Sequence, residues 1–104
     1  MELEEGIYVR TKNKGICKIE GFASTLTDDY IENEKGSLIP KDEITKASHN
    51  IMELIEVGDY VNGSKVNIIE NEFIYFDTGH SIHYEYIETI VTKEQFEAIQ
   101  YKVV

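Results

Sequence analysis

The feature that most constrains the fold is a short phrase written twice. Gly6-Ile7-Tyr8-Val9, in "EEGIYVRTK", returns as Gly58-Asp59-Tyr60-Val61 in "LIEVGDYVNG", 52 residues further along. Three identities in Gly- and Val-rich strands arise easily by chance, so the order of elements downstream of each copy carries more weight. After the first copy, "GIYVRT" reads as a strand, "NKG" as a turn and "ICKIEGF" as a second strand. "ASTLT" is polar loop, "DDYIEN" a short strand, "EKGS" a turn, and "LIPKDEIT" a fourth strand in which Pro40 marks an edge or a break. Ser48 or Asn50 can cap a helical turn in "HNIMELI".

The second half repeats this order. "GDYVN" and "GSKVNIIE" read as strands, with a turn at Asn71. The unbroken apolar centre of "EFIYFDT" predicts a strand buried on both faces. "GHS" turns, and "IHYEYIETI" runs back with Ile82, Tyr84 and Tyr86 on one face. Thr92 and Gln95 form a capping box at the start of "TKEQFEAIQ", where Phe96 and Ile99 pair and Glu94 and Glu97 face water. "YKVV" closes as a last strand.

Four strands, a helical turn and a closing strand is the plan of a small SH3-like barrel. The expected fold is therefore mainly β with short helical turns, two tandem SH3-like units at 1–56 and 57–104 packed together. A barrel of about fifty residues buries barely enough apolar surface to fold alone, which favours packing of the halves. In this plan "GDYV" closes the first barrel while opening the second.

The function classes narrow by exclusion. The chain has 20 Asp and Glu against 10 Lys and Arg, a formal charge of −10, which disfavours direct phosphate binding. An anionic surface suits a basic protein partner instead, including one whose groove normally holds nucleic acid. It also serves simply to keep a small domain soluble. No apolar run is long enough for a membrane span, and "MELEEG" is acidic where a signal peptide is basic, so a cytoplasmic protein without membrane contact is expected. Cys17 is the single cysteine and sits between Ile16 and Ile19, as a packed thiol does.

No cofactor, metal or catalytic motif is legible. His80 and His83 in "HSIH" point to opposite faces if they lie on a strand, and with His49 they lack the spacing of a metal site. There is no G-x-S-x-G elbow, Walker loop or dinucleotide fingerprint. Carboxylates are so plentiful that an acid–base pair carries no signal. The chain is expected not to be an enzyme.

Charge distribution is more informative. Arg10, Lys12, Lys14 and Lys18 gather around the first hairpin. No Lys or Arg lies between Val66 and Thr92, an interval holding Glu70, Glu72, Asp77, Glu85 and Glu88. A hairpin from this interval would carry an anionic edge interleaved with Tyr75, Tyr84 and Tyr86, a mixture suited to interfaces. The same residues also fit a solvated face guarding an edge strand.

"NIMELIEVGDYVNGSKV", Asn50 to Val66, and "IETIVTKEQFEAIQYKV", Ile87 to Val103, resemble recurring motifs of small phage and prophage proteins of Firmicutes, and "YVRTKNKGICKI" resembles their N-termini. The likeness spans nearly the whole chain and supplies no catalytic residues. It implies a setting that includes anti-CRISPR inhibitors. The expectation is thus a non-enzymatic inhibitor in the cytoplasm of a bacterial host, binding a host protein with a basic groove, most concretely a CRISPR effector. Its face would be Glu70, Glu72, Asp77, Glu85 and Glu88, with Tyr84 or Tyr86 as anchor. The alternative is a regulatory or assembly adaptor that binds nucleic acid, or a replication or transcription protein, through the basic hairpin from Arg10 to Lys18.

Overall fold

The computed structural model describes residues 2–103, in two compact units that meet in sequence between Leu54 and Ile55. The expected division falls two residues later, after residue 56.

The first unit contains β1 (Tyr8–Thr11), β2 (Ile16–Ser24), β3 (Asp29–Asn33) and β4 (Leu38–Pro40). A 3-10 turn at Lys41–Glu43, β5 (Ile44–Ser48) and a second 3-10 turn at Ile51–Leu54 complete it. The second unit runs β6 (Tyr60–Val61), β7 (Ser64–Glu70), β8 (Phe73–Phe76), β9 (Ser81–His83), a 3-10 turn at Tyr84–Tyr86, β10 (Ile90–Val91) and α1 (Lys93–Ile99). Each unit is one antiparallel sheet, ordered β4-β3-β2-β1-β5 and β10-β6-β7-β8-β9. In both, four strands meander, a 3-10 turn comes next, and the fifth strand returns beside the first. The protein is mainly β, as expected, but the sheets are open rather than closed barrels.

The repeated phrase has a backbone reason. Gly6 and Gly58 have φ of +90° and +98°, a region that an L side chain rarely adopts. This turn lets the Gly6 N–H donate to the Ile19 carbonyl at 2.8 Å and the Gly58 N–H to the Val66 carbonyl at 3.0 Å. In return the Ile19 N–H donates to the Ile7 carbonyl at 2.9 Å, and the Val66 N–H to the Asp59 carbonyl at 2.8 Å. Tyr8 faces Lys18 as Tyr60 faces Lys65. The register then shifts on the second strand of each unit, between Ile19 and Gly21 and between Val66 and Ile68, leaving Glu20 and Asn67 as extra residues. The inner face of the first sheet buries Ile7, Val9, Cys17, Ile19, Ile31 and Ile39. In the second sheet Val61, Val66, Ile74 and Phe76 are buried.

Several expectations are corrected. "GDYV" does not close the first sheet: β6 pairs with β7 and β10, and β1 lies between β2 and β5. The single strand read from "LIPKDEIT" breaks at Pro40, and Ile44 starts the closing strand. "IHYEYIETI" likewise breaks into β9, the 3-10 turn and β10. β8 is not buried on both faces, since Phe73 and Tyr75 are exposed while Ile74 and Phe76 are covered. Thr92 and Gln95 do form the capping box. Ile99, however, is 77% exposed, and Phe96 instead stacks on Tyr60 at 4.4 Å between ring centroids. Tyr101–Val103 form no strand, and Val104 lies outside the described residues.

Candidate functional site

The outer face of the second sheet concentrates apolar and acidic side chains. The extra residue Asn67 turns Ile68 outward beside Tyr75, which lies opposite Ser81 on β9. In the next row Glu70, Phe73 and His83 stand opposite one another. Ile68, Phe73 and Tyr75 are 46%, 42% and 37% exposed. The corresponding rows of the first sheet hold Gly21, Glu32 and Leu38, then Ala23, Tyr30 and Pro40. The two units share a backbone plan, yet the exposed aromatic surface is built more strongly on the second.

At one end of this face, Oε2 of Glu72, in the β7–β8 turn, lies 3.0 Å from His83 Nε2. The Glu85 N–H donates to His83 Nδ1 at 3.3 Å, so the imidazole proton belongs on Nε2 and the Glu72 carboxylate is its acceptor. His83 thereby caps the turn that carries Tyr84 and Tyr86. Its ring meets Phe73 edge-on at 5.1 Å and lies 4.6 Å from Tyr84. Glu70, Glu72, Tyr84 and Glu85 are thus gathered around the β7–β8 turn.

The other expected residues lie elsewhere. Asp77 sits just past the far end of β8, where its N–H donates to the Lys65 carbonyl at 3.1 Å. It lies five positions along the strand from Glu72, about 17 Å. Tyr86 and Glu88 are held by Asn62: Asn62 Nδ2 donates to the Tyr86 carbonyl at 2.9 Å, and Asn62 Oδ1 accepts from the N–H groups of Glu88 and Thr89 at 2.8 and 3.0 Å. All seven predicted residues are exposed, but they form three groups rather than one patch. Tyr84 and Tyr86 lie in the turn beyond β9, so the expected edge of alternating Tyr and carboxylate does not exist. The carboxylates of Glu70, Asp77, Glu85 and Glu88 form no ion pair and accept no hydrogen bond among the described residues.

Sequence reasoning missed Ile68, Phe73 and Asn62. The hydrophobic run hid which of its members turn outward. Asn62 has φ +50° and Gly63 φ +83°, which makes "NG" the two-residue turn between β6 and β7. That Asn-Gly pair is the signal that was available.

The basic hairpin of the alternative reading changes character. Arg10 is 1% exposed, and its guanidinium donates to the Leu54 carbonyl at 2.9 Å. It is a structural cation, leaving Lys12, Lys14 and Lys18, and Lys14 lies 3.8 Å from Glu43. Cys17 is buried on β2, and burial with the nearby Glu34 charge pushes its thiol up to about 11. His49 pairs with Glu4, and no cluster of His, Cys, Asp or Glu able to hold a metal occurs among the described residues.

Asp59 of the second Gly-x-Tyr-Val is the one buried carboxylate among the described residues. Its Oδ2 accepts from the Glu56 N–H at 2.8 Å and its Oδ1 from the Lys93 N–H at 2.9 Å, joining the turn before β6 to the first residue of α1. Lys93 Nζ meets Glu56 at 2.9 Å, and that hydrogen bond holds the ammonium above the usual lysine range. This constellation organises the fold.

No protein-family model, curated protein or solved structure matches the chain. No helix among the described residues is long and apolar enough to cross a membrane.

Proposed function

We propose that the protein is a non-enzymatic binding module whose second unit presents an apolar, acid-rimmed face to a basic host protein. The observation that carries this reading is the exposure of Ile68, Phe73 and Tyr75 beside unpaired carboxylates, in an interval without Lys or Arg. Aromatic and aliphatic side chains supply desolvated contact area, while carboxylates steer encounter and meet Arg or Lys of the partner. A groove that binds nucleic acid fits this chemistry, because its cations are already placed to meet a row of negative charge. An anti-CRISPR inhibitor acting in the bacterial cytoplasm is the specific form suggested by the resemblance to phage proteins. The shared strand order, with a 3-10 turn before each fifth strand, supports an SH3-like origin for both units as open sheets.

The reading is tested by capturing partners from a host lysate with the wild-type chain and with Glu70→Lys/Glu85→Lys/Glu88→Lys. A nucleic-acid-binding protein should be retained by the wild type, displaced by its nucleic acid, and bound at least ten-fold more weakly by the variant. Binding indifferent to charge reversal refutes the acidic-face mechanism.

A further inference from the structure

The two sheets end on corresponding edge strands, and only one of these edges is closed to further pairing. In the second unit the Phe76 N–H donates to the His80 carbonyl and the Tyr84 N–H to the Glu72 carbonyl, both at 2.8 Å. Phe76–His80 and Glu72–Tyr84 are therefore hydrogen-bonded pairs. Between them, Tyr75 faces Ser81, Ile74 faces Ile82, and Phe73 faces His83. Because hydrogen-bonded and non-hydrogen-bonded pairs alternate in an antiparallel ladder, Ser81 and His83 direct their N–H and C=O groups away from β8. They provide two outward donors, spaced by about 7 Å along the edge, and an outward acceptor at Ser81, while the His83 carbonyl already accepts the first bond of the 3-10 turn that it caps.

The first unit has the same geometry with one change. The Asn33 N–H donates to the Ser37 carbonyl, so by the same alternation Leu38 and Pro40 face outward from β4. Pro40 occupies the position of His83 and has no N–H to offer. A proline at an outward position is a common guard against pairing at an edge, and Lys41 is its next neighbour. β9 has neither a proline nor a lysine, and the residues after it are Tyr84 and Glu85.

We propose that β9 is a docking edge that takes an extended basic segment of the partner as an added antiparallel strand. The basic character of that segment rests on the acidic-face reading above. A residue of the added strand opposite Ser81 enters the row of Tyr75 and Ile68, and suits an apolar side chain. A residue opposite His83 enters the row of Phe73 and Glu70, beside Glu72, and suits Lys or Arg. In an antiparallel strand the residue opposite His83 comes first, so the recognised order is basic, any residue, apolar. Main-chain bonds give the affinity, and these two positions give the selectivity.

The probe is an acetylated, amidated peptide Thr-Lys-Thr-Val-Thr, titrated into the whole chain and followed by NMR. A second peptide of the same sequence is N-methylated at Lys and Val, which removes the inward-facing donors and keeps the charge. The protein variants are His83→Ala, which keeps the backbone N–H, and His83→Pro, which removes it. His83 has φ −80°, and Pro40 has φ −57° at the matching position, so proline fits the backbone here. The unmethylated peptide should bind wild type and His83→Ala with shifts at the Ser81 and residue-83 amides. N-methylation or His83→Pro should each weaken binding at least ten-fold.

Equal binding of both peptides, or of His83→Ala and His83→Pro, overturns strand addition and leaves the acidic-face reading standing. So does absence of binding by either peptide. Binding that N-methylation abolishes but that salt and Glu70→Lys leave unchanged supports the docking edge and refutes the acidic contribution. Concentration-dependent dimers of the chain alone, dissolved by His83→Pro, would assign the edge to a second copy and overturn the proposal.

Discussion

Replacing Asp59 offers the sharpest test of how the second unit is held together. The carboxylate is fully buried, and its two oxygens accept the N–H groups of Glu56 and Lys93. Asp59→Ala leaves both donors without that acceptor. Measured hydrogen bonds to charged groups contribute about 1.5–3 kcal/mol each, net of desolvation. Both donors are only partly buried, so water recovers some of the loss and the lower part of the range applies. The expected cost is about 3 kcal/mol for Asp59→Ala. Asp59→Asn keeps one acceptor oxygen but turns an NH2 group towards the second donor, and should cost about 2 kcal/mol. Urea unfolding would give the global change, and hydrogen exchange at the Lys93 amide would report the lost anchor of α1. A loss below about 1 kcal/mol for Asp59→Ala, with unchanged exchange at Lys93, would refute the reasoning.

Other named contacts have consequences of their own. Asn62→Ala removes three side-chain hydrogen bonds and places alanine at φ +50°, so exchange at the Glu88 and Thr89 amides should accelerate while α1 stays protected. Thr92→Ala removes the cap of α1 and should cost about 1 kcal/mol by denaturant titration, against no measurable change for the exposed Thr27→Ala. The Cys17 thiol is raised from 9.0 to about 11, so the folded chain keeps a proton that the unfolded chain releases. Stability should therefore fall as pH rises from about 9 towards 11, with no contribution to the slope below that window. Urea midpoints across that window should show this slope in the wild type and a shallower one in Cys17→Ala, with Lys93 adding to it only towards the upper end.

How much was legible depends on where each signal resides. The glycine turns, the Asn-Gly hairpin, the Thr92–Gln95 box and the Asn50 cap are local, set by backbone sterics and by partners a few residues away. Asn50 Oδ1 does accept from the Met52 N–H at 3.0 Å, as its position suggested. Sequence order therefore exposed the repeat and the β character of both halves. The candidate face was only half visible. The carboxylates stand out because Lys and Arg are missing around them, but apolar residues in "NIIENEFIYF" look equally fit for either side of a sheet.

Sequence by itself determined the local vocabulary: which segments extend, where glycine reverses the chain, and where charge of one sign accumulates. Pairing decided the rest. Alternation from Val66 would place Ile68 inside, but the extra residue Asn67 reverses the faces and turns Ile68 out beside Tyr75. The ladder likewise decided that Pro40 and His83 occupy matching outward positions, and the Leu54 carbonyl decided that Arg10 is an interior strut. These outcomes depend on register between strands, a long-range property that no single strand encodes.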